Sequence, residues 1–182
     1  AEVASTFNEQ LLTDYLLKNA ADDNERAYLI NNELDGIRAT VVRQTMFAEF
    51  EKITHEMAEA GKPLTVATFR EVYRELLTAY FGPDFVIDDE LERECFRIPH
   101  FYRAFYVYKY ATGLSAAVAL SRRVLEGGKQ ELDDYLRFLS GGCSKDPLDL
   151  LRDAGVDMTQ PEPVATTLER FRTLTEELDQ LI

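Results

Sequence analysis

Apolar residues recur every three to four positions along almost the whole chain, and Gly and Pro punctuate the recurrences. That spacing is the helical period. Val3, Phe7, Leu11, Leu12, Tyr15 and Leu16 mark one face of a first helix, from near Glu2 to about Asn19. Asp22 or Asp23 stands where a cap belongs for a second, longer helix. It carries Leu29, Ile30, Leu34, Ile37, Val41, Met46, Phe47, Phe50 and Ile53 to about Ala60, with Gly36 its only breaker and Gly61 and Pro63 its stop. Thr65 starts a third helix, which ends at Gly82 and Pro83. A short helix around Asp88 to Cys95 has three acids in its first turn, which suits the helix dipole. Pro99 precedes a tyrosine-rich helix that stops at Gly127 and Gly128. The next spans roughly Lys129 to Ser140 and ends at Gly141 and Gly142. Asp146 and Pro147 form an N-cap and first-turn pair for a short helix that stops at Gly155. After Pro161 and Pro163 a last helix runs to the C-terminus.

No hairpin signal, sustained period-two alternation, internal repeat or low-complexity tract interrupts this pattern. The expected fold is all-α, a helical array without interdomain linkers. At 182 residues, 46% hydrophobic and 29% charged, the chain suffices for one domain or a large piece of one.

The net charge of -13 argues against nucleic acid, whose phosphates need clustered Lys and Arg, and against an anionic membrane surface. No run of about twenty uncharged apolar residues exists, so no membrane span is expected. Two cysteines, Cys95 and Cys143, are too few for a disulfide scaffold or a four-cysteine metal site, and point to a reducing compartment. The start, Ala1 to Glu9, has no initiator Met and no signal-peptide pattern, and reads as the middle of a helix.

The densest candidate chemistry lies between Ile98 and Gly113. His100 follows Pro99, and Tyr102, Tyr106, Tyr108 and Tyr110 come after it. On a helix, Tyr102, Tyr106 and Tyr110 at i, i+4 and i+8 make one stripe. Such a row of hydroxyls beside a histidine is suited to stabilising an oxyanion. The same spacing also fits amphipathic aromatics that pack a core and point their hydroxyls at its rim. His55-Glu56-Met57-Ala58-Glu59 begins like a zinc motif, but Glu59 stands where the second histidine is required, and a solvated helix end is the better reading. Cys95 and Cys143 have no neighbouring histidine and read as ordinary thiols. Glu2 and Glu9 share a helix face with Ser5 between them, which by itself says little, since a lone helical Glu is usually solvated.

Three segments carry a resemblance. Glu2 to Glu9 (Glu-Val-Ala-Ser-Thr-Phe-Asn-Glu), Arg43 to Phe50 (Arg-Gln-Thr-Met-Phe-Ala-Glu-Phe) and His100 to Gly113 occur in this order in oligoendopeptidase F. Tyr135 to Leu139 and Ala154 to Met158 resemble the same family, which belongs with thimet oligopeptidase among the zinc-dependent oligopeptidases. The resemblance covers residues 1–182 and corresponds to the C-terminal part of the catalytic domain. It implies that a His-Glu-x-x-His helix, with two zinc ligands and the general base, lies upstream. It implies Glu2 as the third ligand, leaving one water position on the metal. His100 matches the family's downstream histidine. Tyr106 is the first choice for oxyanion donor, Tyr110 and Tyr102 follow as substrate contacts, and Tyr108 is assigned to packing. Glu9 is a candidate for a carboxylate that orients a ligand histidine. The implied protein is a cytoplasmic zinc endopeptidase acting on internal bonds of short peptides, with this segment inactive alone. The rival reading is a stand-alone acidic helical module that binds a partner and performs no catalysis.

Overall fold

The computed structural model describes residues 2–182. All regular elements among them are helical. In chain order they are α1 (Val3–Lys18), α2 (Asp23–Ile37), a π-helical turn (Arg38–Val42), α3 (Arg43–Glu59), α4 (Val66–Phe81), two 3-10 segments (Leu91–Phe96 and Pro99–Tyr102), α5 (Tyr108–Glu126), α6 (Lys129–Ser140), α7 (Pro147–Asp153) and α8 (Glu162–Leu181). No described helix is long and apolar enough to cross a membrane.

The caps follow the local chemistry. The Asp22 carboxylate accepts the Glu25 N–H at 2.8 Å, which decides between the two candidate aspartates. The Thr65 hydroxyl accepts the Thr68 N–H at 3.2 Å. The Gly128 N–H donates to Glu131 Oε2 at 2.7 Å, so Gly128 opens α6 as well as closing the turn after α5. Asp146 stands at the N-cap of α7 but its side chain makes no capping bond, and α8 begins at Glu162, between the two prolines.

Three expectations need correction. The short helix expected around Asp88 to Cys95 is the 3-10 segment Leu91–Phe96, and Asp88, Asp89 and Glu90 precede it. The long second helix is α2 and α3 joined by the π turn. That turn follows Gly36 and contains Thr40, Val41 and Val42, whose branched side chains crowd an ordinary α-turn. The tyrosine-rich helix does not start at Pro99. Residues 99–102 are 3-10, Phe105 has φ 57°, and α5 begins only at Tyr108. The left-handed Phe105 breaks the helix, so Tyr102, Tyr106 and Tyr110 do not form one stripe.

The chain divides into two compact units: Thr40–Ala111, and the segments before Thr40 and after Ala111. The core of the Thr40–Ala111 unit comprises Met46, Phe47 and Phe50 of α3 with Val72, Tyr73, Leu76 and Leu77 of α4, closed by Cys95, Ile98 and Val107. Two buried carboxylates tie the first 3-10 segment to these helices. Glu92 accepts from Arg70 at 2.7 and 3.0 Å and from Arg74. The Arg74 guanidinium, then that of Arg70, holds the Glu92 carboxyl below the usual glutamate range. Glu94 accepts from Arg97 and from the Tyr73 hydroxyl, each at 2.7 Å, and from Arg43.

In the other unit the Phe7 ring stacks on Tyr135 with centroids 3.7 Å apart, above Ala116, Ala117 and Leu120 of α5 and Leu151 of α7. Helices α2 and α8 pack through Ile30 and Leu174, which with Leu17 form a second buried cluster. Arg170 holds the buried Glu33 with two hydrogen bonds of 2.9 and 2.8 Å, and Arg26 pairs with Glu177. A forked pair between packed helices orients both more firmly than a single surface contact.

Candidate functional site

The segment from Ile98 to Tyr110 is irregular but pinned. Ile98 and Val107 are buried in the Thr40–Ala111 core, and between them Phe101 packs on Phe47 and Phe50, with ring centroids 5.6 and 5.1 Å away. Anchoring at both ends and in the middle leaves the polar aromatics at the surface of a rigid support.

Three of them meet there. His100 Nε2 and the Tyr110 hydroxyl are hydrogen-bonded at 2.9 Å, so the tautomer of the imidazole decides which one donates. The Tyr106 ring lies nearly parallel to that of His100, with 5.7 Å between centroids and 18° between planes. Tyr106 and Tyr110 meet edge to face at 5.7 Å. Lys109 Nζ sits over the Tyr106 ring at 5.2 Å, a favourable cation–π geometry. Tyr106 is 43% exposed and is held by these ring contacts, whereas Tyr110 is half-buried. The group therefore joins a titratable imidazole, one hydroxyl bonded to it and a second hydroxyl beside it.

Tyr102 is not part of this group. Its hydroxyl donates to the Phe96 carbonyl at 3.1 Å, and the residue is 79% exposed. With Phe101, Glu51 and His55 it lines a cavity of about 330 Å³. Cys95, at the wall of the same cavity, is buried, and burial pushes its thiol up to about 11. It packs as a small hydrophobe and is not poised as a nucleophile. Cys143 is exposed and free.

Glu2 and Glu9 belong to the other unit. Glu2 is exposed at the start of α1, where its side chain makes no capping bond. Its backbone carbonyl accepts from the Ser5 hydroxyl at 3.0 Å and from the Thr6 hydroxyl, which fixes the first turn. Glu9 is exposed two turns further on. Among the described residues no three His, Cys, Asp or Glu side chains converge on a metal position. Glu2 presents an exposed carboxylate at the head of α1, outside any such group among the described residues.

Of two residues near the tyrosine group, Glu51 has no role in the sequence reading and His55 is read there as part of a solvated helix end. Glu51 is 3% exposed, and its carboxylate accepts the Phe105 N–H at 2.6 Å. His55, one turn along α3, is half-buried and packs its ring on Phe105 with centroids 4.7 Å apart, whereas Glu56 and Glu59 of the same segment are exposed, as a solvated helix end requires. A signal existed for Glu51: it falls on the apolar face of α3, between Phe50 and Thr54, where an acid is out of place.

Comparison with known proteins bears on the family and the fold. The model of peptidase family M3 matches residues 1–170. The chain is 50% identical over 182 residues to oligopeptidase PepF of Bacillus subtilis, covering 100% of this chain and 27% of that protein. It is 44% identical to an oligoendopeptidase F homolog of Borreliella burgdorferi, covering 100% of this chain and 31% of that one. In three dimensions it superposes on the crystal structure of oligoendopeptidase-F from Enterococcus faecium with a TM-score of 0.93 at 42% identity, over 99% of this chain and 35% of the other. The chain therefore spans about a third or less of the length of these relatives. With a family model matched over nearly its full length and the same helical fold, this chain belongs to peptidase family M3.

Proposed function

We propose that this chain is the C-terminal part of a zinc-dependent endopeptidase that hydrolyses internal bonds of short oligopeptides in the cytoplasm. The observation that carries the reading is the grouping of His100, Tyr106 and Tyr110 on a rigid support, in a chain of this family. Glu2 supplies one carboxylate to the metal, and Glu9 orients a neighbouring ligand. The other two ligands and the general base come from the part of the catalytic domain upstream. Zinc, when bound, supplies Lewis acidity and an activated water.

The residues of this chain then have separable tasks. Tyr106 donates its hydroxyl hydrogen to the oxygen of the peptide carbonyl as negative charge develops there. Fixed donors aimed at that charge act without reorganisation cost. His100 contacts the reacting peptide, and Tyr110, through its bond to Nε2, sets the tautomer and angle of the imidazole. Tyr110 and the exposed Tyr102 also contact the peptide.

The test uses the full-length parent enzyme. Tyr106→Phe lowers kcat by roughly ten- to a thousandfold while zinc content and melting temperature stay unchanged, because the donor acts only in the transition state. His100→Ala acts in the same direction. Glu2→Ala differs in kind and loses zinc, read by metal analysis of the purified protein. A Tyr106→Phe enzyme with unchanged kcat would remove the donor assignment, and a Glu2→Ala enzyme with full zinc would remove the ligand assignment.

A further inference from the structure

We infer that Glu51 is a positioning residue of the active site: its buried carboxylate holds Phe105 in a left-handed turn and thereby aims Tyr106 at the reacting carbonyl. The inference rests on the reading of Tyr106 as the oxyanion donor.

Phe105 is the one non-glycine residue with positive φ among the described residues, at 57°. An aromatic side chain is strained in that region, and such strain persists only where the surroundings over-determine it. Here α3 does so from two consecutive turns. Glu51 Oε1 accepts the Phe105 N–H at 2.6 Å, and His55, four residues on and therefore on the same helix face, packs against the Phe105 ring at 4.7 Å. Glu51 lies 54 residues from Phe105 in sequence. It occupies a buried position on a face otherwise made of Met46, Phe47, Phe50 and Thr54, where a carboxylate costs stability relative to an apolar side chain. What the carboxylate does in return is accept one amide hydrogen, at the residue directly before Tyr106.

The consequence for Tyr106 is geometric. Val107, on its other side, is fully buried. Tyr106 therefore sits between two fixed points, and its ring direction follows from the backbone angles at Phe105. If Phe105 relaxed to negative φ, the Cα–Cβ bond of Tyr106 would swing away from His100, and the near-parallel contact between the two rings would be lost. Glu51 meets the turn at the Phe105 amide, so it acts on Tyr106 through the backbone.

The experiment is a double-mutant cycle in the full-length parent. Glu51→Gln, Glu51→Asp and Glu51→Leu are made alone and in combination with Tyr106→Phe. Glutamine keeps an acceptor oxygen at the same reach, and aspartate keeps the charge but pulls the oxygen back by one methylene. Glu51→Gln is expected to retain kcat. Glu51→Asp and Glu51→Leu are expected to lower kcat by on the order of ten- to a hundredfold, as misplacement of a catalytic group by about 1 Å does. KM and zinc content are expected to hold. In the Tyr106→Phe background the same substitutions are expected to change kcat by less than about twofold, because the donor they aim is already gone. Glu51→Asp carries the test if the leucine variant fails to fold. Full activity of Glu51→Asp, damage by Glu51→Gln equal to that by Glu51→Leu, or additive losses with Tyr106→Phe would each overturn the inference and leave Tyr106 as donor. A silent Tyr106→Phe would overturn both the donor assignment and the inference.

Discussion

Tyr106 and Tyr110 hold different positions around one imidazole, and the difference is measurable. The Tyr110 hydroxyl is bonded to His100 Nε2 at 2.9 Å, whereas Tyr106 meets the histidine through its ring. In the parent enzyme Tyr110→Phe removes one hydrogen bond to a positioned ring, so kcat/KM is expected to fall by less than about tenfold. That is a smaller loss than Tyr106→Phe causes. If Tyr110→Phe abolishes turnover and Tyr106→Phe does not, the donor is Tyr110. The identity and order of these residues were readable from the chain, because a histidine and several tyrosines in one stretch are visible as residue types. Their arrangement was not. Nothing in the side chain of Phe105 announces a left-handed backbone, and without it the spacing suggested a continuous stripe that included Tyr102. The bond from Glu51 that stabilises this conformation comes from a segment 54 residues away.

Helix ends in this protein are mostly local chemistry. The end of α7 shows this well. The Val156 N–H reaches the Leu151 carbonyl and the Gly155 N–H reaches the Arg152 carbonyl, both at 2.9 Å, with Gly155 at φ 84°. Buried Val156 packs with Leu151 across the turn, which completes a Schellman stop. A Cβ at Gly155 would also lie 2.5 Å from the Arg123 guanidinium carbon. Gly155→Ala is expected to destabilise the chain by about 1–2 kcal/mol from the left-handed backbone alone, read as a lower urea midpoint. A midpoint unchanged or raised would contradict this account of the turn. Just beyond, the Asp157 carboxylate accepts from the Thr159 hydroxyl at 2.7 Å, from the Thr159 N–H at 3.0 Å and from Arg152 at 3.2 Å. The Thr159 bonds, then Arg152, hold its carboxyl down at about 2, from an ordinary 3.8. A depressed value in the folded state means that the stabilisation is complete above the ordinary value and is lost as pH falls through the folded one. The stability gap between the wild type and Asp157→Asn should therefore be full at neutral pH and close between about pH 4 and 2. A gap that is constant across that window would show that the carboxylate is not what orders this turn.

At the scale of the whole molecule, the chain carries one proposed metal ligand in one compact unit and the histidine–tyrosine group in the other. It spans 27% of the Bacillus subtilis relative. One carboxylate does not make a three-ligand zinc centre. The chain by itself is accordingly expected to bind zinc weakly and without fixed stoichiometry in calorimetry, and to leave a quenched fluorogenic peptide uncut. Submicromolar stoichiometric binding, or chelator-sensitive turnover in a preparation free of other peptidases, would contradict this. The amino-acid sequence by itself determined the all-α class, most helix boundaries and the family, because apolar period, caps, Gly and Pro stops and motif order act over a few residues and leave their marks in the residue types. Only the tertiary structure decided where the acids go. Glu33, Glu92 and Glu94 look like solvated charges in the chain, and Glu51 stands out only for its place on an apolar helix face, yet each is buried. Their partners are Arg170, the Phe105 amide, Arg70 with Arg74, and Arg43 with Tyr73 and Arg97. A buried carboxylate is tolerable only when donors from other elements converge on it. That convergence depends on which helices pack together, and no residue type records it.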